Sequence, residues 1–140
     1  MSGIELTSNF AKTVLASPIT ALDTSITLFP GAGALFPNPS GGNYFRLLIT
    51  DAATTNYNEI VFCTARSGDV LTVTRHQEGT SARAWIAGDI IENVLTSGSF
   101  TGLQLTNTLG NYANDTAASA GGVPIGGNYR NGSVLMVRVV

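Results

Sequence analysis

The chain has 140 residues, of which 44% are hydrophobic and 11% are charged, and its formal net charge is −2. This length and hydrophobic content suit one domain with a core and argue against disorder throughout. The slightly acidic balance argues against a nucleic-acid-binding protein, which would carry a basic patch. The charged fraction is well below the roughly 25% of a typical soluble domain, which depends on charge for solubility. We therefore expect neighbouring subunits to cover much of the surface of this protein. The alternative is a Ser-, Thr- and Asn-rich surface adapted for stability.

The first part of the chain contains weak and short signals. Residues 1–18 show no strong period and predict an N-terminal arm, with a short helix as the alternative for residues 9–15. Residues 19–29 contain a strand signal. Residues 30–43 are rich in Pro and Gly and predict a loop, because proline removes a backbone donor and glycine weakens strand pairing.

A hairpin in the middle of the chain is the strongest structural signal. Residues 59–65 form a nearly continuous apolar run, typical of a strand covered on both faces, and residues 70–75 alternate between apolar and polar. Gly68 lies in the tight turn between them, where a positive φ is needed. Strands are also predicted for residues 44–50 and 90–95.

The last part of the chain is predicted to be less regular. Residues 97–120 are rich in Gly, Asn, Thr and Ala and predict a linker, with one helical turn as the alternative near its end. Residues 121–140 predict a C-terminal β segment with a turn at Gly132 and a strand from residue 133. An exposed apolar strand invites aggregation, so we expect it to pair either within the domain or with a neighbouring subunit. The predicted fold class is all-β, a small antiparallel barrel or sandwich over residues 19–96.

Residues 76–89 are predicted to be a loop that is pinned against the hairpin. Trp85 is its one large apolar side chain and is expected to pack as an anchor with its indole N–H bonded. We expect bonds from arginines to carboxylates and carbonyls to hold this loop in place. The alternative is that the arginines are solvated, since exposed pairs contribute only about 0–1 kcal/mol. The charged residues concerned are Arg66, Arg75 and Arg83, with Asp69, Glu78 and Asp89 near them in the sequence.

The sequence lacks recognisable catalytic or metal-binding motifs. Cys63 and His76 are the only cysteine and histidine, too few for a zinc site, and Cys63 is predicted to be a small buried hydrophobe. Two carboxylates suffice for a glycosidase, but nothing in the sequence marks a sugar cleft. We therefore expect no enzymatic activity and no cofactor. No run approaches the ~20 apolar residues of a membrane span, and no signal peptide is expected from the first residues.

Two blocks of the sequence resemble segments of virion proteins from tailed bacteriophages. The first block, residues 21–89, contains A-L-D-T-S-I at residues 21–26, Y-N-E-I-V at 57–61 and V-T-R-H-Q-E-G-T at 73–80. The second, residues 121–140, begins G-G-V-P-I-G-G-N-Y-R-N-G-S-V. Both are similar to segments of tail fibres, baseplate-associated proteins and tail-like bacteriocins.

This resemblance implies a structural protein of the tail fibre, collar or baseplate that is assembled in the host bacterial cytoplasm and resides in the virion. Its partners would be other virion proteins and further copies of itself, with a trimer favoured because fibres usually have threefold symmetry; neither nucleic acid nor a membrane is expected as a partner. A capsid decoration or head-fibre protein is the alternative, and a module that binds host-surface glycans is the second alternative. The chain lacks a long shaft repeat and a large tip, which favours an adaptor role over receptor binding. The candidate structural or interface residues are Arg66, Arg75, Glu78, Arg83, Trp85, Asp89, Tyr129, Arg130 and Arg138.

Overall fold

The chain divides into two compact units, Met1–Ser99 and Phe100–Val140. The computed structural model describes residues 3–101 and 110–140. Strands predominate over helices, so the predicted all-β class is confirmed.

The first unit is a six-stranded antiparallel sheet that curls into a small barrel. The order of its strands in the sheet is β1-β6-β3-β4-β5-β2. The outer strands meet at an antiparallel bridge between Leu15 and Leu28, where the Ala16 N–H donates to the Thr27 carbonyl at 2.9 Å. The two edges of the curled sheet are therefore joined at this point. The strands are β1 (Lys12–Val14), β2 (Ser25–Thr27), β3 (Phe45–Thr50), β4 (Asn58–Ser67), β5 (Val70–Gln77) and β6 (Ile90–Asn93).

The core of the first unit lies inside the curled sheet. Along β5, Leu71 and Val73 are buried while the intervening residues are exposed, as expected of a strand with one solvated face. On β3, Phe45, Leu47 and Ile49 are fully buried. Burying each such side chain stabilises the fold by roughly 1.5–3 kcal/mol, so the sheet is held mainly by its inner face.

The predicted hairpin is confirmed as β4 and β5, with Gly68 in the turn at φ 59°. Two register shifts interrupt its ladder. At one of them the pairing moves from Phe62–Thr74 to Ile60–Gln77, which leaves an extra residue in β5. His76 lies in this bulge at φ 61°. A bulge bends the strand that contains it. This one lies at the end of β5, where the 76–89 loop begins.

Part of the predicted N-terminal arm is a strand of the barrel, and residues 9–15 do not form the short helix that was its alternative. Residues Lys12–Val14 form β1, which pairs antiparallel with β6. Ala11 and Leu15 belong to the core, with only 3% and 1% of their surface exposed. A strand of three residues is too short to give a recognisable period, so only its tertiary pairing reveals it.

Short helices occur outside the strands. A 3-10 helix, Ala32–Leu35, interrupts the predicted Pro- and Gly-rich loop, and α1 (Ser97–Thr101) lies at the boundary between the units. In the predicted linker, α2 (Asp115–Ala120) realises the helical alternative, with Asn114 accepting a hydrogen bond from the Ala117 N–H at 2.9 Å. The linker prediction for residues 102–109 lies outside the described residues.

The second unit ends in a hairpin of β7 (Asn128–Asn131) and β8 (Val134–Val137). The predicted turn is confirmed, with Gly132 at φ 60°. Among the described strands, the apolar C-terminal strand thus has one pairing partner. Tyr129 on β7 and Ala118 on α2 are the buried hydrophobic residues among those described in this unit.

Candidate functional site

Glu59 is a carboxylate enclosed completely within the first unit, at 0% exposure. Arg75 on the neighbouring strand donates to both of its oxygens, from Nε to Oε1 and from Nη2 to Oε2, each at 2.8 Å. The Trp85 indole N–H donates to Oε2 at 2.8 Å, and the His76 backbone N–H donates to Oε1 at 3.2 Å. Four donors therefore converge on one buried carboxylate, which we call the Glu59 centre (Glu59, Arg75 and Trp85).

The electrostatics of the Glu59 centre favour an ionised carboxylate. Burial alone would raise the pKa of Glu59, but hydrogen bonds from Arg75 and Trp85 and the positive charge of Arg75 outweigh it and hold the pKa below its ordinary value. The pairing is bidentate, the geometry in which a guanidinium and a carboxylate bind each other most strongly. The charge pair therefore keeps its charges although it lies out of water.

Arg75 uses every N–H of its guanidinium. Besides the two bonds to Glu59, Nη1 donates to the carbonyls of Thr20 and Asp23, both at 2.9 Å, and Nη2 donates to the carbonyl of Arg83 at 2.7 Å. These carbonyls belong to the segment before β2 and to the 76–89 loop. One side chain thus connects two strands with two separate loops.

Trp85 anchors the 76–89 loop, as predicted. It is 2% exposed, and its backbone forms an antiparallel bridge with Ile19, with both N–H···O distances at 2.9 Å. Asp89, 4% exposed, shapes the end of the same loop by accepting from the backbone N–H groups of Ile86 at 2.9 Å and Ala52 at 3.1 Å. The loop is therefore fixed by side chain and backbone together.

Arg46 forms a second charged centre on β3. Its Nε donates to Glu78 Oε1 at 2.6 Å, and its Nη1 donates to Glu5. Ser99 Oγ donates to Glu5 Oε1 at 2.9 Å, and Thr96 Oγ1 donates to Glu78 Oε1 at 2.6 Å. We call these residues the Arg46 centre. It joins the two ends of the first unit to the bulged end of β5.

Aromatic rings flank the guanidinium of Arg46. Its central carbon lies 4.7 Å from the centroid of the Phe62 ring and 5.5 Å from that of Tyr44. Only 7% of the Arg46 side chain is exposed. Cation–π contacts and two carboxylates together compensate for the loss of water around this charge.

The carboxylates predicted from sequence proximity are not the ones that pair with the candidate arginines. Arg75 pairs with Glu59, and Glu78 pairs with Arg46. Asp69 instead accepts from two backbone N–H groups of the 30–43 loop, at 2.9 and 2.7 Å. Nearness in the sequence did not predict the ion-pair partners, because the side chains that meet on one face of a sheet come from neighbouring strands.

The two other candidate arginines of the first unit contact carbonyls or rings. Arg66 donates to the carbonyls of Pro37 at 3.1 Å and Gly68 at 3.3 Å. The guanidinium carbon of Arg83 lies 3.7 Å from the centroid of the Tyr57 ring. Arg83 therefore stacks on an aromatic face, an interaction that the sequence did not suggest.

The candidate residues of the second unit support its hairpin. Tyr129 is 1% exposed and its hydroxyl donates to Asp115 Oδ1 at 2.5 Å. This hydrogen bond lowers the pKa of Asp115 and raises that of Tyr129. Arg138 donates to the carbonyls of Val123 at 2.6 Å and Val140 at 2.7 Å. Arg130 reaches a carbonyl of the turn at 3.5 Å.

The buried polar side chains of the described residues are fully paired. Among the described residues, every buried side-chain nitrogen or oxygen has a hydrogen-bond partner, and His, Cys, Asp and Glu nowhere form a group of three or more that could hold a metal ion. The Cys63 thiol is fully buried, as predicted, and burial raises its pKa to about 12. A thiol with this pKa stays protonated at neutral pH and is a weak nucleophile.

A shallow cavity of about 220 Å³ lies beside the pinned loop, with Asp51, Tyr57 and Arg83 in its lining. Arg83 covers one face of Tyr57. Trp85 and Tyr129 are buried, so neither ring offers a face to a ligand from solvent.

No protein-family model and no curated protein sequence matches the chain. In the part of the chain that the structure describes, no helix is long and apolar enough to cross a membrane. The fold and the two buried charged centres therefore remain, with the resemblance of the sequence, as the basis for a functional proposal.

Proposed function

We propose that the chain is a structural virion protein of a tailed bacteriophage that acts in tail-fibre, collar or baseplate assembly or attachment through β-rich homo-oligomerisation. One observation carries the proposal. The three motifs of the first resembling block converge on the Glu59 centre: Y-N-E-I-V supplies Glu59, V-T-R-H-Q-E-G-T supplies Arg75, and A-L-D-T-S-I supplies the Asp23 carbonyl. The residues behind the resemblance are thus those that fix the fold, which is what a shared structural module requires.

The surface of the first unit supports a role in docking to other virion proteins. Phe10 and Leu22 are large apolar side chains, and they are 97% and 90% exposed. They belong to a charge-poor protein, in which only 11% of the residues are charged. Phe10 also has a positive φ of 59°, a strained conformation for a bulky residue. A rigid barrel that projects apolar side chains from fixed loops suits permanent contacts with neighbouring subunits.

Labelling of intact particles tests this function. Antibodies against the chain, applied to purified particles from a host that carries its gene, should mark the tail in electron micrographs. Particles produced after deletion of the gene serve as the control and should not be marked. Label on the head would favour the capsid decoration or head-fibre alternative, and the absence of the chain from particles by mass spectrometry would refute a virion role.

A further inference from the structure

Among the described residues, one edge of the C-terminal hairpin has no partner strand. The Arg138 N–H donates to the Gly127 carbonyl at 2.9 Å, so Arg138 faces β7. Backbone groups alternate in direction along an antiparallel strand, so Leu135 and Val137 aim their N–H and C=O groups away from β7. Within the described residues, no further strand pairs with β8 on that side.

The free edge of β8 is apolar and solvent-exposed. Val134, Leu135 and Val137 are 57%, 60% and 50% exposed, and residues 133–137 include no charged side chain. Natural sheet edges are usually protected by lysine, proline or a bulge. The ladder between β7 and β8 is regular and contains no bulge, and just beyond β8 the Val139 N–H on this side donates to Asp115 Oδ2 at 2.9 Å.

The second unit is small, and few of its described hydrophobic side chains are buried. It comprises Phe100–Val140, and Ala118 and Tyr129 are the buried hydrophobic residues among those described. Units of about 40 residues usually need a disulfide, a metal or association to be stable. Cys63 is the only cysteine and lies in the other unit, and the described residues offer no metal-binding group. A partner strand on the edge of β8 would bury apolar surface that this small unit leaves exposed.

We propose that the free edge of β8 pairs antiparallel with the same edge of a second copy, across a twofold axis centred on Met136. In this register Leu135 opposes Val137 of the second copy, and each such pair exchanges two backbone hydrogen bonds. Arg138 opposes Val134 of the second copy, so like charges do not face each other. The inference rests on the proposed function, because it names a surface through which the protein would oligomerise. A twofold contact of this kind joins two copies only, so it would give a dimer or would link two trimers.

Disulfide trapping tests the register. Met136 and its counterpart would form a non-hydrogen-bonded pair with Cα atoms about 4.5 Å apart, within the range of roughly 4.4–6.8 Å that a disulfide spans. Mild oxidation of the full-length Met136→Cys variant should therefore give a covalently linked dimer. Asn128→Cys on β7, exposed but away from the free edge, is the matched control and should remain unlinked. Equal linking of both variants, or of neither, would overturn the register.

A charge at the edge tests the contact itself without a cysteine. Leu135 is 60% exposed in the single chain, so Leu135→Lys leaves the hairpin intact but protects its edge. We expect it to raise the dissociation constant at least about tenfold, measured by sedimentation equilibrium. Val70→Lys on β5, at 41% exposure, is the control and should leave association unchanged. Unaltered association of Leu135→Lys, or a monomeric wild-type chain, would refute the inference. If both β8 tests fail but particles still contain the chain, the edge pairing is refuted and the proposed virion role is not.

Discussion

The carboxylate of Glu59 and the guanidinium of Arg75 face each other through two parallel hydrogen bonds inside the barrel. The two residues come from neighbouring strands, and Arg75 also holds the carbonyls of Thr20, Asp23 and Arg83. A single ion pair therefore organises the loops at one end of the first unit, and removing either partner leaves an uncompensated charge.

Glu59→Gln should destabilise the protein strongly. The substitution removes the negative charge and leaves the Arg75 guanidinium buried without a counter-ion, which costs about 3–5 kcal/mol in the free energy of unfolding. Urea denaturation followed by circular dichroism measures the change. Glu92→Gln is the matched control, because Glu92 pairs at 2.9 Å with Lys12, whose side chain is 59% exposed, and such pairs contribute about 0–1 kcal/mol. Similar losses in the two variants would contradict the central role of Glu59.

Two substitutions at Trp85 separate its packing from its hydrogen bond. Trp85→Ala should cost about 3–5 kcal/mol because it empties the anchor position of the loop. Trp85→Phe keeps most of the apolar contact but leaves Glu59 with one donor fewer, which should cost about 1–3 kcal/mol. Thermal unfolding of both variants should give the order wild type, Phe variant, Ala variant. A fully stable Ala variant would rule out Trp85 as an anchor.

Arg46→Lys should loosen the ends of the first unit. An ammonium lacks the planar fork that lets Arg46 bind Glu5 and Glu78 together. We expect faster amide hydrogen exchange near Glu5 and Ser99, with the β4–β5 hairpin unchanged, as read by mass spectrometry. Arg66→Lys is the control, because Arg66 donates to backbone carbonyls, and it should not affect those ends. Uniform acceleration over the whole unit would contradict a local role for Arg46.

Acid should destabilise the protein through both centres. The pKa of Glu59 and that of Glu78 are lowered in the folded state, for Glu78 because hydrogen bonds from Thr96 and Arg46 outweigh its burial. A lowered folded-state pKa gives stability that is complete above the unfolded value of about 4.3 and is lost as the pH falls through the folded value. The melting temperature should therefore be nearly constant from pH 7 to about pH 5 and fall below that. Glu59→Gln should show a shallower acid limb, and a melting temperature that rises on acidification would exclude this explanation.

The fold class and the hairpin could be predicted because the alternation on β5 and the apolar run on β4 are local patterns. The same alternation also predicts that Glu59 faces inward, because Val61 and Cys63 on its strand do so. It predicts the same for Arg75, which follows the inward-facing Leu71 and Val73. Their contact, however, depends on a ladder with register shifts, which strand periodicity cannot specify.

The Arg46 centre shows a different limit. Arg46 lies between Phe45 and Leu47, which are both buried, so alternation alone places its side chain on the outer face of the sheet. It is covered there by Glu5 and Ser99, which lie far from it in the sequence. A buried charge of this kind is created by tertiary contacts, and no local pattern indicates it.

The hydrogen bond of 2.9 Å from Ser99 to Glu5 brings the first and last segments of the barrel unit side by side. A unit with adjacent ends can be inserted into a loop of a host protein without stretching either chain, and it can be circularly permuted with a short connector. New termini would fit the turn between β3 and β4, where residues 52–57 are exposed. Because its ends are adjacent, the first unit is suited to insertion as one intact domain into chains of different lengths.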